Sequence, residues 1–149
     1  MTKLIPYLCC KDASAAIDFY VNALGAEEAF RMAGGDGSIG HATLTLGGET
    51  FYLSDEWPEG RVFSPETLGG TPVTLHLEVG DVDAAFEQAV GAGATSEREP
   101  TDQFYGDRNA VVRDPFGHRW MLSSRIEEVS TEEMNRRAAA EGYATSGGA

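Results

Sequence analysis

The residues best suited to chemistry recur at a spacing of two. Thr74, His76 and Glu78 alternate along a short apolar run, so a β-strand there puts a hydroxyl, an imidazole and a carboxylate on one face. The same alternation groups His41 with Thr43 and Thr45, Thr50 with Tyr52 and Ser54, Arg119 with Met121 and Ser123, and Ile5 with Tyr7 and Cys9. One face of mixed polar, aromatic and ionisable groups is what a small-molecule cavity needs, although an ordinary solvated sheet face has the same pattern. Within it, His76, Glu78 and Tyr52 are the candidate acid–base groups. His41, His76 and Glu78 could form a facial metal site if their strands bring all three within ~2–2.2 Å of one ion. Side chains two apart diverge over ~6.6 Å, which makes that a demanding geometry.

Other candidates lie outside these strands. Trp57 reads as a stacking wall or a lid on the core. Tyr105-Gly106-Asp107-Arg108 offers a phenol, a carboxylate and a guanidinium, either to close a cavity mouth or to brace their own loop by an Asp–Arg pair. His118 falls in a turn and reads as solvent-exposed, structural or incidental. Cys9 and Cys10 are adjacent in a strand, so they leave opposite faces and read as small buried hydrophobes. Gly34-Gly35-Asp36-Gly37 looks like a phosphate loop, but no helix follows it, so it does not read as a phosphate site.

An internal repeat positions these residues. Lys11-Asp12-Ala13-Ser14-Ala15-Ala16-Ile17-Asp18 matches Gly80-Asp81-Val82-Asp83-Ala84-Ala85-Phe86-Glu87, and Gly48-Glu49-Thr50-Phe51-Tyr52-Leu53-Ser54 matches Gly117-His118-Arg119-Trp120-Met121-Leu122-Ser123. Both pairs lie 69 residues apart. Each copy (3–55 and 72–125, joined by a linker over 56–71) opens with an apolar strand, Leu4 to Cys10 and Val73 to Val79. A helix capped by Asp12 or Asp81 follows. Ile17, Tyr20, Val21 and Leu24 form the apolar stripe of the first helix, and Val82, Ala85, Phe86, Ala89 and Val90 that of the second. Three strands then follow in each copy, over 27–32, 39–46 and 50–55, then 94–99, 108–114 and 118–125, with turns at Gly47-Gly48 and Asp114-Pro115-Phe116-Gly117. The apolar row Val73, Leu75, Leu77 and Val79 is expected under the helix, as are Ala42, Leu44, Leu46, Phe51, Leu53, Trp120 and Leu122. The fold class is therefore α+β: two βαβββ modules in tandem, in a single domain over 1–126, forming a curved mixed eight-stranded sheet around a cavity. Ser130-Thr131-Glu132-Glu133 opens a peripheral C-terminal helix as a capping box, within a tail over 127–149 that frays from 145.

Charge and hydropathy remove other classes. The 24 acidic and 11 basic residues leave a net charge of −13, which repels nucleic acid and anionic membranes. No apolar run approaches the ~20 residues of a membrane span, and the start of the chain lacks a secretory signal, so cytoplasmic residence is expected.

The paired βαβββ units, Ile17-Asp18-Phe19-Tyr20 in the first helix, and Asp114-Pro115-Phe116-Gly117-His118 before the last strand resemble the vicinal oxygen chelate superfamily. That superfamily includes glyoxalase I, bleomycin-resistance proteins and extradiol dioxygenases. The run Tyr105-Gly106-Asp107-Arg108 through Arg119-Trp120, with Glu127-Glu128-Val129-Ser130 and Glu133-Met134, resembles its PhnB-like branch. The resemblance implies a divalent metal held at four inward positions, which here are Ile5, Tyr52, Thr74 and Met121. None is an imidazole or carboxylate, so no metal or other cofactor is expected. The expected function is metal-independent binding of a small organic molecule, with sequestration as its use, by His41, Thr43, Tyr52, Trp57, Thr74, His76, Glu78, Tyr105, Arg108, Arg119 and Met121. The alternative is a metal-dependent glyoxalase-like lyase, isomerase or dioxygenase with a relocated site. A homodimer is expected, because superfamily members commonly pair and exposed sheet edges need cover.

Overall fold

The computed structural model describes residues 1–147, and among them eight strands and four helices make two successive βαβββ units with a C-terminal helix. The first unit comprises β1 (Tyr7–Cys9), α1 (Ala13–Leu24), β2 (Glu27–Ala33), β3 (Ile39–Leu46) and β4 (Glu49–Ser54). A linker with a 3₁₀ turn (Pro58–Gly60) and the single-turn α2 (Pro65–Leu68) leads to the second. That unit comprises β5 (Thr74–Glu78), α3 (Val82–Gly91), β6 (Thr95–Asp102), β7 (Asp107–Arg113) and β8 (Arg119–Arg125), and α4 (Thr131–Ala140) follows. The repeat is real in three dimensions.

Local chemistry explains the boundaries. Asp12 Oδ1 accepts the Ala15 N–H at 3.1 Å, and Asp81 Oδ1 accepts the Ala84 N–H at 3.1 Å, so each helix has its first turn satisfied. Gly25, at φ 77°, ends α1 in the left-handed conformation that a side chain resists. Gly47 and Gly48 both have positive φ, as a tight two-residue turn between β3 and β4 requires. The Ser130 hydroxyl caps α4 through the Glu133 N–H. Glu133 does not reach back to complete the expected box, because its carboxylate is taken by Arg136 and Arg137. Of the tail expected to fray, 148 and 149 lie outside the described residues.

The eight strands fall into two hydrogen-bonded halves, ordered β1-β4-β3-β2 and β5-β8-β7-β6. In each, the first strand runs parallel to the last and the remaining pairs are antiparallel. Ala42, Leu44, Leu46, Phe51, Leu53, Trp120 and Leu122 are buried on the helix side, as the alternation predicts. α1 buries Ala13, Ala16, Ile17, Phe19, Tyr20 and Ala23. That arc is wider than the expected stripe and leaves Val21 exposed, because α1 also packs on α3 and on the turn between β7 and β8. The row on β5 is a second correction. Val73 is exposed and precedes the strand, and Leu75 and Leu77 are only half-buried. β5 is an edge strand, and α3 lies mainly over β6 and β7.

One hydrophobic cluster runs through both halves, joining Leu8, Ile17, Tyr20, Phe51 and Leu53 to Ala89, Val112, Phe116 and Trp120. Asp114 pins them together. Its Oδ2 accepts from the Tyr20 hydroxyl (2.6 Å) and the Trp120 indole (2.9 Å). Its Oδ1 accepts from the Phe116 and His118 backbone N–H groups at 2.9 and 3.0 Å. Four donors on one buried carboxylate satisfy the group fully. His118 is a further bridge: it is half-buried, not exposed as expected, and its Nε2–H donates to the Cys9 carbonyl at 2.8 Å.

Candidate functional site

The inward face of the first sheet carries an aromatic cluster. Register aligns Tyr7, Tyr52, Thr43 and Phe30 in one row across β1, β4, β3 and β2. The Tyr7 and Tyr52 rings meet edge-on at 5.4 Å, and His41 sits 4.7 Å from Tyr52. The His41 ring lies between two hydroxyls, Tyr7 at 2.7 Å from Nδ1 and Thr43 at 3.0 Å from Nε2. Either neutral tautomer satisfies both contacts, so neither nitrogen is left over for an ion.

Beside this cluster an open cleft of about 740 Å³ is lined by Tyr7, Cys9, Ile39, Ser54, Trp57 and Val62, among others. Its volume lies in the ~300–1,000 Å³ range of small-molecule sites. Trp57 is 60% exposed yet fixed. Its backbone pairs with Val62, and its ring lies on Gly60, where an added Cβ would fall 2.1 Å from the indole. The carboxylates at the cleft are already engaged. Asp55 accepts from the Ala13 and Ile39 backbone N–H groups, and Glu56 accepts from the Ser64 N–H and hydroxyl. Hydrogen bonds from Thr67 and Ser64 hold the Glu56 carboxyl down at about 2. Burial, aided by nearby Glu56 and Asp55, pushes the Cys9 thiol up to about 11, so it stays protonated. Burial also raises Cys10, which lies under Tyr20.

The inward face of the second sheet carries arginines interleaved with carboxylates. Arg119 donates to Thr74 Oγ1 (2.8 Å) and to Glu97 (2.8 Å), and Arg113 shares the same Glu97 carboxylate. The two guanidinium groups hold the Glu97 carboxyl below its usual range. His76 stands beside Met121, and Glu78 beside Ser123. This is the face expected for Thr74, His76, Glu78, Arg119 and Met121. The Tyr7–His41–Tyr52 cluster makes no hydrogen bond to it. Among the described residues, no three of His, Cys, Asp and Glu come together as a metal site would require, and His41 is not joined to His76 and Glu78.

Two candidates lie elsewhere. Arg108 projects from the helix side of β7, where it pairs with Asp83 of α3 and Asp102 of β6, both at 2.9 Å. It lies outside the lining of the Tyr7–Trp57 cleft. The expected Asp–Arg pair within the loop is absent too, since Asp107 pairs with Arg125. Tyr105 accepts from the Asn109 side chain on the second inward face. Alternation within β7 predicted neither partner choice. Sequence reasoning put Tyr7 on the inward face without naming it as a binding residue, and it passed over Arg98; only the register shows Tyr7 abutting Tyr52 and His41.

The model of the Glyoxalase/Bleomycin resistance protein/Dioxygenase superfamily matches residues 4–122. This chain is a member of that superfamily. It is 46% identical over 142 residues to an uncharacterized protein of Mycobacterium tuberculosis, covering 93% of this chain and 84% of that one. Among solved structures it resembles TioX from Micromonospora sp. ML1, with a TM-score of 0.65 and 25% identity over 87% of this chain and 100% of TioX. An Arabidopsis thaliana gene product scores 0.65 at 27% identity, covering 83% and 98%. FosX, a fosfomycin resistance protein of Listeria monocytogenes solved with Mn(II) and sulfate, shares the fold, with a TM-score of 0.66 at 17% identity over 91% and 96%. The metal that the superfamily resemblance implies does not fit the side chains at the four matched positions. Ile5 has no donor, the Thr74 hydroxyl accepts from Arg119, and Tyr52 and Met121 offer a phenol and a thioether.

Proposed function

We propose that this superfamily member binds a planar, largely apolar organic molecule in the Tyr7–Trp57 cleft without a metal. The observation that carries this reading is the cleft itself: aromatic walls at Tyr7 and Trp57 over an apolar floor, with its carboxylates and thiol already committed. Trp57 is held in place before any ligand arrives, which reduces the ordering cost of binding. The Ser38 and Ser54 hydroxyls donate to Asp36 Oδ1 and the Asp55 carbonyl, so each can orient a polar substituent by accepting from it. Nothing in the cleft is a free nucleophile or a free base, so retention of the ligand, as in sequestration, is favoured over turnover.

The test is a screen of aromatic metabolites against tag-free protein, read by Trp57 fluorescence and thermal shift. A saturable ligand whose binding is lost in Trp57→Ala and weakened in Tyr7→Ala supports the proposal. Metal analysis of the same protein, purified without chelators, is the counter-test. Stoichiometric Zn, Ni, Fe or Mn retained by the wild type and lost in His76→Ala would overturn it in favour of a metal-dependent lyase or dioxygenase.

A further inference from the structure

Arg98 is the unusual cation of this chain. It lies on β6, between two register shifts that interrupt its pairing with β7, and such bulges re-aim side chains. Register places Arg98 opposite Val111, with Met121 and His76 continuing the row over β8 and β5. Its guanidinium reaches the second inward face, because Nη2 donates to Asn109 Oδ1. Asn109 is itself held from both ends, by Gln103 Nε2 at its oxygen and by the Tyr105 hydroxyl at its nitrogen. Every partner in this network is neutral.

That arrangement is costly as it stands. Arg98 Nε is buried with no hydrogen-bond partner, the one such side-chain atom among the described residues. An orphaned buried donor on a charged group costs stability. The chain has 24 acidic residues, and Arg31, Arg108, Arg113, Arg119, Arg125, Arg136 and Arg137 each pair with one. Arg98 has no carboxylate among the described residues. On the same face Arg113 and Arg119 share the single carboxylate of Glu97, Asp107 is taken by Arg125, and Glu78 lies on the edge strand β5.

We propose that Arg98 anchors an oxyanion, the carboxylate or phosphate group of a small metabolite, on the inward face of the second module, with Arg113 and Arg119 supplying the surrounding positive field. With Nη2 held by Asn109, the unpartnered Nε–H is the donor for one oxygen of the anion, and the neighbouring guanidinium N–H groups can serve a second. The site is distinct from the Tyr7–Trp57 cleft and does not depend on it.

Inorganic phosphate is the first probe and acetate the second, each titrated at constant ionic strength and followed by the Arg98 Nε–Hε NMR resonance and by Tm. The net charge of −13 disfavours adventitious anion uptake, so saturation is informative. The expected result is a saturating shift of that resonance and a rise in Tm with at least one probe. Arg98→Lys should weaken binding about tenfold, because the charge stays and the fork is lost. Arg98→Met should abolish it while raising Tm in anion-free buffer, the opposite of what loss of a merely structural residue does. Both responses should persist in Trp57→Ala, which separates this site from the cleft. No saturable response to either probe, or an equal response in wild type and Arg98→Met, would overturn the assignment.

Discussion

Replacing Asp114 by Asn tests how the two halves are joined. The carboxylate accepts four hydrogen bonds, two on each oxygen. The amide must turn its NH₂ toward one pair. Toward the backbone pair it would orphan both the Phe116 and His118 N–H groups, so it turns toward Tyr20 and Trp120. The Tyr20 hydroxyl can rotate to accept. The Trp120 indole can only donate, so one donor is left buried and unpaired in a chain segment that is 4% exposed at Trp120. Losing a hydrogen bond to a charged group costs about 1.5–3 kcal/mol, and the orphaned donor adds to it. Asp114→Asn should therefore lose about 2–4 kcal/mol, or about 10 °C in Tm at this chain length. Denaturant and thermal unfolding would measure it. In a Trp120→Phe background the same substitution should cost about 1–2 kcal/mol less, since the orphan is gone. A loss within ~0.5 kcal/mol of wild type, or no coupling to Trp120, would refute the account of this carboxylate as the pin between modules.

Gly60→Ala should displace the Trp57 ring, because the new methyl overlaps it; the expected outcome is a shifted Trp57 emission and loss of aromatic-ligand binding with a small stability cost of about 1 kcal/mol. Glu56 has a folded-state value of about 2 against an ordinary 4.5, so its contribution is complete above about pH 4.5 and is lost as pH falls toward 2. The fall in Tm over that window should be shallower in Glu56→Gln. Cys9 and Cys10 are buried, with both thiols raised by burial, so a disulfide reagent at pH 8 should label neither in the native protein and both in guanidinium; rapid native labelling would contradict this. Light scattering should report a mass of twice the 15.9 kDa chain, and a monomer at micromolar concentration would remove the expectation of a homodimer.

Much of the architecture was legible in the sequence because it rests on local rules. The repeat of 69 residues, the aspartate caps, the glycine turns and the period-two burial of β3 and β4 are each set by a few adjacent residues, and each reappears in the fold. The non-ligating character of Ile5, Tyr52, Thr74 and Met121 is likewise a property of residue type. What alternation cannot specify is lateral register and the choice of partner. Whether Asp107 would pair with Arg108 or Arg125 depends on which strands neighbour β7. That Tyr7 abuts Tyr52, and Arg98 shares a row with His76, follows from pairings across 10 to 45 positions of chain. Asp114 reads in sequence as a turn residue. Only the packing of α1 against the β7–β8 turn brings Tyr20 to it and makes it the link between halves. Local chemistry thus determined the elements and their faces, while long-range packing decided which side chains meet, because those contacts form only when the modules close on a common core.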